Sequence, residues 1–498
     1  MSNLIKIKEK FLYHIWENKK FTTNKFFGLK GEEIEIIDVG VRNESGDGPD
    51  YHNARITIAG IKYVGDVEID TCISDWATHE HNKNDKYNRV ILHVFFNRDL
   101  KDFYPRTKSG RVIPALNLCS YIEDDLRKAI REAVSLEKDH RLKGIPCQYK
   151  ELQTTVDKKL TFLRELGIRR FEKKCSRILQ RLKEIYFEDL LKNQLKEPSV
   201  RYNPNEDFYN REFKASDFKK ASLWEQLFYE LLFEALGYSK NKDISRKLAE
   251  EVELDFLKKF INKQNFIQEA ECVFFYVSGL TPKPNECLGE TLGYVKNIHN
   301  FWQRVKDNFK GSLLEGSKWH FFQLRPQNFP TIRLAGGVRL LYELLYNNLL
   351  GKIFSAFEKI ENSPQMVKTC KSLLIVNADG FWKYYYHFNK KNDVPFKTFI
   401  GVARAEEIVV NVLLPFIRVF YDIFGKKKES TRVMNVYKTM MQTTDNQIAI
   451  DIANALQLPT IVHQSVFYQG LIELFREYCS KKKCSVCEIS SPVGEECS

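Results

Sequence analysis

Two strand-like segments joined by a two-residue turn constrain the fold of this chain most strongly. Residues 54–60 read ARITIAG and residues 61–70 read IKYVGDVEID, and apolar and polar side chains alternate along much of both. Such alternation is typical of strands that bury one face. Ala59 and Gly60 can reverse the chain directly between them. The sequence therefore predicts a β-hairpin whose open end brings residues near 50 beside residues near 68.

The segments around this hairpin predict a compact α/β unit. Apolar side chains recur near helical spacing in residues 6–18, which indicates a helix. Further strands are predicted for the apolar stretches 32–40, 89–96 and 111–118, with a loop at 41–53 and a short helix plus loop at 74–88. The element order favours an α/β N-terminal domain with a mixed sheet flanked by helices, spanning residues 1–125.

Three acidic side chains fall at the open end of the predicted hairpin. Asp50 precedes the first strand, and Glu68 and Asp70 end the second, where residues two apart point to one face. Converging carboxylates make an oxygen-rich site suited to Mg²⁺ or Mn²⁺, which can activate water and neutralise charge on a scissile phosphate. The alternative is structural: Asp50 caps a turn, and Glu68 pairs with a basic neighbour such as Arg55.

This arrangement resembles the PD-(D/E)xK nuclease superfamily, with Pro49-Asp50 as the first motif and Glu68-Ile69-Asp70 as the second. The resemblance covers roughly residues 5–120 and implies a restriction-endonuclease-like fold. It also implies metal-dependent phosphodiester hydrolysis, with Asp50 and Glu68 as metal ligands. The chain departs from the motif at Asp70, where that superfamily has lysine. Lys62 and Lys83 are the nearest lysines in the sequence.

Histidines add a second group of candidates just beyond the Glu68 strand. His79 and His81 are separated by one residue after Trp76, and His93 lies in the next predicted strand. A histidine here can serve as a metal ligand or a general base, and His81 is the candidate catalytic residue of the three. The alternative is that these rings pack against Trp76 without chemistry.

From about residue 121 the pattern becomes helical and basic, so residues 126–470 are predicted as mostly α-helical, with a polar insertion at 195–222. Ten of the twelve net positive charges fall after residue 150. Candidate nucleic-acid-binding residues lie along the helical segment 162–187 and in the aromatic, arginine-containing segment 318–340: Arg170, Lys174, Arg177, Arg325 and Arg333. The alternatives are the solvated face of a helix and a packed connection between helices.

Cysteines crowd into the last segment, residues 471–498. Cys479, Cys484 and Cys487 are spaced C-x4-C-x2-C, which suits a shared soft metal ion, either Zn²⁺ or an iron–sulfur cluster. A fourth ligand is needed. Cys497 is the simplest choice, and Cys147 is the long-range alternative. Three cysteines without a metal remain the other interpretation.

A broader likeness runs through most of the chain. Five collinear segments resemble the bacterial domain-of-unknown-function 2851 family: residues 48–58, 65–70, 73–96, 322–336 and 478–487. In that family a histidine commonly stands where this chain has Asp70, and a basic residue stands where it has Cys72. The resemblance implies membership and carries no activity of its own.

Composition narrows the possible functions. The 498 residues are 43% hydrophobic and carry a net charge of +12, without an apolar run long enough to span a bilayer or a signal-peptide pattern at the start. We therefore expect a globular cytoplasmic protein. Neither a Walker loop nor GxGxxG or GxSxG is present, which disfavours nucleotide-driven motors, dinucleotide oxidoreductases and common serine hydrolases. The sequence favours a metal-dependent nuclease on DNA or RNA, with two alternatives: a degenerate nucleic-acid-binding or scaffold protein, and a metal enzyme acting on a small substrate.

Overall fold

A computed structural model describes most of the chain, and the part described divides into two compact units. The described residues are 9–19, 21, 23, 25–43, 48–100, 102–122, 147, 154–194, 208, 211–321, 324–443, 446–458 and 463–490. The units are Met1–Lys143 and Gly144–Ser498. The predicted boundary at 125 and much of the predicted insertion at 195–222 lie outside the described residues.

Among its described residues, the N-terminal unit contains two helices and one mixed sheet. The helices are α1 (Glu9–Glu17) and α2 (Asp75–Thr78). The described strands are β1 (Lys25–Phe27), β2 (Glu33–Asp38), β3 (Val41–Arg42), β4 (Tyr51–Ile58), β5 (Ile61–Cys72), β6 (Val90–Asn97) and β7 (Ala115–Asn117). Their order across the sheet is β1-β2-β4-β5-β6-β7, with β3 also beside β4.

The predicted hairpin is the centre of this sheet. Strands β4 and β5 pair antiparallel, and Ala59 and Gly60 turn the chain with φ angles of 48° and 80°. Two successive positive φ values match the right-handed twist of the flanking strands. On its other side β5 pairs parallel with β6, which pairs parallel with β7. The strand that carries Glu68 and Asp70 is therefore an inner strand between antiparallel and parallel neighbours.

A β-bulge near the open end of the hairpin sets the position of Asp50. Ala54 pairs with Gly65 and Tyr51 pairs with Val67, so β4 holds one more residue than β5 over this stretch. The extra residue is accommodated near Asn53, which has a φ of 58°. Such bulges bend a strand and redirect its side chains, and they are common beside active sites.

Helix α1 covers the apolar side of the sheet, because its Leu12, Ile15 and Trp16 are buried together with strand residues that include Val67 and Ile69. These strand residues alternate with Glu68 and Asp70, so burying them on one face directs the two acids toward the other. The alternation therefore determines both the core and the position of the acids.

The structure differs from the sequence prediction at two places in this unit. Strand β1 was not predicted, and β4 begins at Tyr51 inside the predicted loop 41–53. Loop-forming residues ahead of the bulge mask the start of β4, since its pairing with β5 is a long-range contact that local composition does not report.

The C-terminal unit is built mainly from helices. They are α3 (Val156–Gln194), α4 (Ala221–Leu236), α5 (Tyr238–Glu251), α6 (Leu254–Phe260), α7 (Phe266–Val277), α8 (Gly289–Val305), α9 (Pro330–Tyr346), α10 (Leu349–Lys359), α11 (Ser363–Leu374), α12 (Val402–Ile408), α13 (Leu414–Ile423), α14 (Lys427–Thr439), α15 (Gln447–Ala455) and α16 (Ser465–Leu474). Two short two-stranded sheets pair β8 (Val376–Asn377) with β11 (Thr398–Ile400) and β9 (Tyr385–His387) with β10 (Lys390–Lys391). The predicted N-terminal mixed sheet followed by a mostly helical region is confirmed.

None of the helices in the described ranges combines the length and the apolar content that a membrane span requires.

Two glycines let the longest helix, α3, approach α16 closely. Gly167 of α3 faces the backbone of Val466, and Gly470 of α16 faces the backbone of Leu163. A Cβ atom built on either glycine would collide with the facing carbonyl oxygen. The Tyr437 hydroxyl also donates to the Gly167 carbonyl at 2.8 Å. This crossing brings the polar residues of α3 beside those of α16.

We expect Gly470→Ala to destabilise the C-terminal unit by about 1–3 kcal/mol, because the added methyl group must push two packed helix backbones apart. Gly293→Ala in α8 is the matched control, since a Cβ there would meet no atom within 4 Å. Replacing a helical glycine without a clash should stabilise by up to about 1 kcal/mol. Urea unfolding of both variants beside the wild type measures the two changes. Equal effects would contradict the close crossing.

Candidate functional site

Asp50 and Glu68 meet at the open end of the β4–β5 hairpin, as the spacing predicts. The backbone N–H of Asp50 donates to Glu68 Oε2 at 3.1 Å. Asp50 Oδ2 in turn accepts from the backbone N–H of Ile69 at 2.9 Å. Each acid is therefore held by backbone of the opposite strand, so the hairpin and its bulge fix their separation.

Asp70 lies beside them and is held by two histidines. His79 Nδ1 lies 3.1 Å from Asp70 Oδ1, and His93 Nε2 lies 3.0 Å from Asp70 Oδ2. Burial works to raise the pKa of Asp70, but the hydrogen bonds from His79 and His93 outweigh it and hold that pKa well below the usual range. Asp70 is therefore a buried carboxylate that stays charged.

His81 is a buried ring with unpartnered nitrogens. Its Nε2 lies 3.0 Å from Glu68 Oε1 and 4.0 Å from Asp70 Oδ2, yet neither of its ring nitrogens makes a hydrogen bond of acceptable geometry with a described residue. The ring stacks on Tyr87 with centroids 4.0 Å apart and contacts Trp76 edge-on. Burial lowers the pKa of His81 to about 3, so the ring is neutral and has a free lone pair.

Helix α1 adds two groups that the sequence analysis missed. The Tyr13 hydroxyl donates to Asp50 Oδ1 at 2.7 Å. Burial, followed by the charge of Asp70, raises the pKa of Glu9 to about 7. Glu9 and Tyr13 are four residues apart and therefore share one helix face. That spacing was readable in the sequence, but nothing local indicated that this face meets the acids.

Neighbouring acids add to the effect of burial on the pKa values of Asp50 and Glu68. Burial raises the pKa of Asp50 to about 7, with Asp70 and Glu9 adding to the effect. Burial and then the charges of Asp50 and Asp70 raise the pKa of Glu68 well above its usual value. Like charges held together in a poorly solvated site cannot all ionise easily. A bound cation would offset this repulsion.

The donor atoms present fit a divalent cation. Asp70, His79 and His81 each offer one ligand atom, and these atoms lie within 4.8 Å of one another. Neither ring nitrogen of buried His81 makes a hydrogen bond with a described residue, so its lone pair is available to a metal ion. Glu68 Oε1 lies 3.0 Å from Nε2 of this ring. A set that mixes imidazole and carboxylate suits Mn²⁺ and other transition-metal ions better than an all-oxygen set does.

Neither lysine named from the sequence enters the cluster. Lys62 pairs with Thr57 at the turn end of the hairpin, six residues along the strand from Glu68. Lys83 is exposed and pairs with Glu80 at 3.4 Å. The position of the missing lysine is taken by Asp70, whose carboxylate contacts His93 at 3.0 Å and His79 at 3.1 Å.

The thiols of Cys147 and Cys479 lie within electrostatic range of Cys484 and Cys487 in the C-terminal unit, although among the described residues the group of ligand atoms within 4.8 Å of one another does not include these cysteines. Burial and then the neighbouring thiols of Cys487 and Cys484 raise the pKa of Cys147 to about 11. The pKa of the Cys479 thiol is raised to about 12 by burial and then by the thiols of Cys487, Cys147 and Cys484. The Thr154 hydroxyl donates to the Ile489 carbonyl at 2.9 Å and links the two chain segments. Cys147 is thus the described candidate for a fourth ligand, while Cys497 lies outside the described residues.

Three of the predicted nucleic-acid-binding residues contact other parts of the C-terminal unit, and one of them, Arg333, is buried. Arg333 is buried and donates to the Phe399 carbonyl at 2.6 Å. Arg170 pairs with Glu473 at 3.2 Å, and Lys174 donates to Asn411 Oδ1 at 2.5 Å. Helical spacing shows which residues share a face but not which acceptors that face meets, and these acceptors lie on other elements of the unit.

The two remaining basic candidates are more accessible. Arg325 is exposed. Arg177 is partly exposed and pairs with Glu234 at 2.8 Å. Of the predicted set, Arg325 is therefore the one best placed to meet a nucleic acid from solution.

The comparisons with known proteins identify a family and no activity. No curated protein and no solved structure matches this chain. The family described as "Protein of unknown function (DUF2851)" matches residues 9–194 and 211–447, which is most of the chain. The chain therefore belongs to the DUF2851 family.

Proposed function

We propose that the N-terminal unit is a divalent-metal-dependent nuclease of restriction-endonuclease-like fold that hydrolyses phosphodiester bonds of DNA or RNA. The observation that carries the proposal is the single cluster in which Asp50, Glu68 and Asp70 meet buried His81. Acids held this closely destabilise the fold unless a cation compensates them. The mixed sheet and the positions of the acids at the hairpin end support the resemblance to the PD-(D/E)xK superfamily.

Mn²⁺ suits this site better than Mg²⁺. Asp50, Glu68 and Asp70 would supply carboxylate oxygens, and His81 would supply a neutral nitrogen. His79 Nδ1 also lies within 4.8 Å of the Asp70 and His81 ligand atoms, but we assign it a different role. Burial works to lower its pKa, but the hydrogen bond and charge of Asp70 outweigh it and raise that pKa, and a protonated imidazole does not bind a metal.

His79 can replace the lysine that the second motif lacks. Its side chain is 41% exposed, so it reaches the solvent side of the cluster. The contact with Asp70 Oδ1 keeps it positively charged at a higher pH than an ordinary histidine. A cation at the rim can contact a scissile phosphate and donate a proton to the leaving oxygen. Because His93 holds the other Asp70 oxygen, the carboxylate that charges His79 is itself fixed.

The residues divide the hydrolysis between them. A water oxygen forms a bond to phosphorus, the bond to the leaving sugar oxygen breaks, and that oxygen takes up a proton from His79. The proton lost by the water passes to solvent, from which His79 is recharged. A bound divalent cation supplies charge neutralisation at the phosphate and a lowered pKa for water. Tyr13 and the Ile69 N–H orient Asp50 throughout.

The net charge of +12 and the exposed Arg325 support a polyanionic substrate. The second candidate is a nucleic-acid-binding or scaffold protein with a degenerate site. It is favoured by one observation: an acid, Asp70, stands at the lysine position. We expect the nuclease to cleave nucleic acid and the degenerate protein to leave it intact. We expect both to bind nucleic acid in a way that weakens as the salt concentration rises.

We also propose that Cys147, Cys479, Cys484 and Cys487 hold a structural metal, either Zn²⁺ or an iron–sulfur cluster. The thiols of Cys484 and Cys487 help to raise the pKa values of Cys147 and Cys479, and the Thr154–Ile489 hydrogen bond joins the two chain segments, which supports a shared site. Four thiolates satisfy either metal without leaving an open position. The metal would connect the segment that leads into α3 with the end of the chain.

We expect the wild type to cleave single- or double-stranded DNA or RNA with Mn²⁺ and more slowly with Mg²⁺. Glu68→Gln should lower the rate by at least about 100-fold, because it removes a negative oxygen ligand. His79→Gln should lower it by about 100-fold or more, as expected on losing a general acid. His79→Lys should retain part of the activity. End-labelled oligonucleotides resolved on denaturing gels measure all four proteins and identify the polymer.

Glu80→Gln is the matched control for this experiment. Glu80 is an exposed acid next to His79 that pairs with Lys83 instead of the cluster, so its loss should leave the rate unchanged. Cleavage that persists in Glu68→Gln would contradict the proposed site. Absence of cleavage by folded, Mn²⁺-loaded wild type would favour the degenerate candidate, with Asp70 as the residue responsible.

For the cysteine site we expect about one zinc ion per chain, or iron with matching sulfide, in protein purified without oxygen. Elemental analysis and the visible absorption of an iron–sulfur cluster distinguish the two metals. Cys147→Ser should lose metal to a chelator faster than the wild type does. Cys119→Ser, at an exposed cysteine, is the control. Equal metal retention by the two variants would exclude Cys147 as a ligand.

A further inference from the structure

A cavity of about 350 Å³ lies among the helices of the C-terminal unit. It is bordered by residues of α3, α4, α5, α12 and α16. Basic side chains dominate its described lining: Arg170, Lys174, Arg177, Lys242, Arg404 and Arg476. Two acidic side chains, Glu234 and Glu407, line it as well. The described lining thus holds six basic and two acidic side chains, and a third acid, Glu473, pairs with Arg170 at 3.2 Å.

Part of this charge is compensated inside the protein. Arg177 and Lys242 share Glu234 Oε1, at 2.8 and 2.9 Å. Arg404 pairs with Glu407, and its guanidinium lies 3.6 Å from the centroid of the Tyr238 ring. These contacts position the cations at the wall of the cavity and account for both lining acids.

Lys174 and Arg476 have no carboxylate within 4.0 Å among the described residues. The Lys174 ammonium donates to two amide oxygens instead, Asn411 Oδ1 at 2.5 Å and Gln469 Oε1 at 3.2 Å. An ammonium group has three donors, so one is left for a ligand. Burial, followed by the charges of Arg170 and Arg177, lowers the pKa of Lys174 well below its usual value. An anion bound beside this lysine would favour its charged form.

Two irregular helical turns border the same cavity. The π turns Val409–Leu413 and Phe475–Cys479 contribute Asn411 and Arg476 to its lining. A π turn inserts an extra residue into a helix and redirects side chains, and such turns are frequent at functional sites. Pro415, which lacks an N–H, lies in the first turn of α13, directly after the first π turn. Two π turns from different parts of the chain thus place side chains in the lining of the same cavity.

We propose that this cavity binds a phosphate group, carried either by a small phosphorylated molecule or by the phosphorylated end of a nucleic-acid strand. Lys174 and Arg476 are the principal donors, with Arg170 beside them. Arginine forks and lysine ammonium groups are the side chains that recognise phosphate best. The volume lies near the lower end of the range for small-molecule sites, which admits a nucleotide but not a duplex. The proposal is independent of catalysis in the N-terminal unit.

Calorimetric titration of the full-length protein tests the proposal, at constant ionic strength set with chloride. The probes are inorganic phosphate, a 5′-mononucleotide, and one oligonucleotide with either a 5′-phosphate or a 5′-hydroxyl end. We expect saturable binding of phosphate. Tighter binding of the mononucleotide would identify a free small molecule as the source. A preference for the 5′-phosphorylated strand over its 5′-hydroxyl form would identify the strand end.

Lys174→Gln and Arg476→Gln should each weaken binding of phosphate about tenfold or more, since each removes a charged donor. Arg476 is exposed, so its variant folds even if replacing Lys174 disturbs the core. Lys158→Gln is the control. It removes one exposed charge from α3, the helix of Lys174, at a point about 24 Å from Lys174 along the helix axis. Failure of the wild type to bind any probe, or equal weakening by Arg476→Gln and Lys158→Gln, would overturn the proposal.

Discussion

The contact of Asp70 with two histidines is the interaction on which the N-terminal site depends. Asp70 sits in the centre of the sheet, where an unpaired carboxylate would be strongly destabilising. His93, fully buried beneath it, and His79, at the rim, make that charge tolerable at 3.0 and 3.1 Å. The contact with Asp70 outweighs burial and raises the pKa of His79, whereas burial lowers that of His81 to about 3. In the proposed mechanism, the ionisation of Asp70 therefore determines the roles of the histidines around it.

The sequence was sufficient for the part of the site that strand geometry controls. A two-residue turn and a period of two residues place Glu68 and Asp70 on one face and bring Asp50 beside them. The contributions of Glu9 and Tyr13 were not predictable, because they depend on how α1 packs across the sheet. Cys147 was one of two possible fourth ligands in the sequence, and only the tertiary fold shows that it lies near Cys479, more than 300 residues away. Local patterns specify elements, while long-range packing selects which residues meet.

The helical unit shows the limit of charge patterns more directly. Arg170 and Lys174 recur at the spacing of one helix face, and that face could meet water, a polyanion or other helices. The close approach of α3 and α16 at Gly167 and Gly470 shows that this face meets another helix. It places Gln469 and Glu473 opposite Arg170 and Lys174. Burial of so much positive charge is costly unless anionic groups compensate it. Glu473, Glu234 and Glu407 compensate part of it, which leaves the remainder for a bound anion.

Binding of Mn²⁺ to the purified, chelator-treated protein tests the central claim most directly, namely that the acids and His81 form one cation site. Calorimetry should give a single site in the N-terminal unit, with affinity that increases as the pH rises through about 7, because Asp50 must lose its proton to bind. Asp70→Asn should weaken binding at least about tenfold. Asp99→Asn, at an exposed acid bonded to Ser74, should not. Equal affinity in wild type and Asp70→Asn, or no binding by the wild type, would contradict the account.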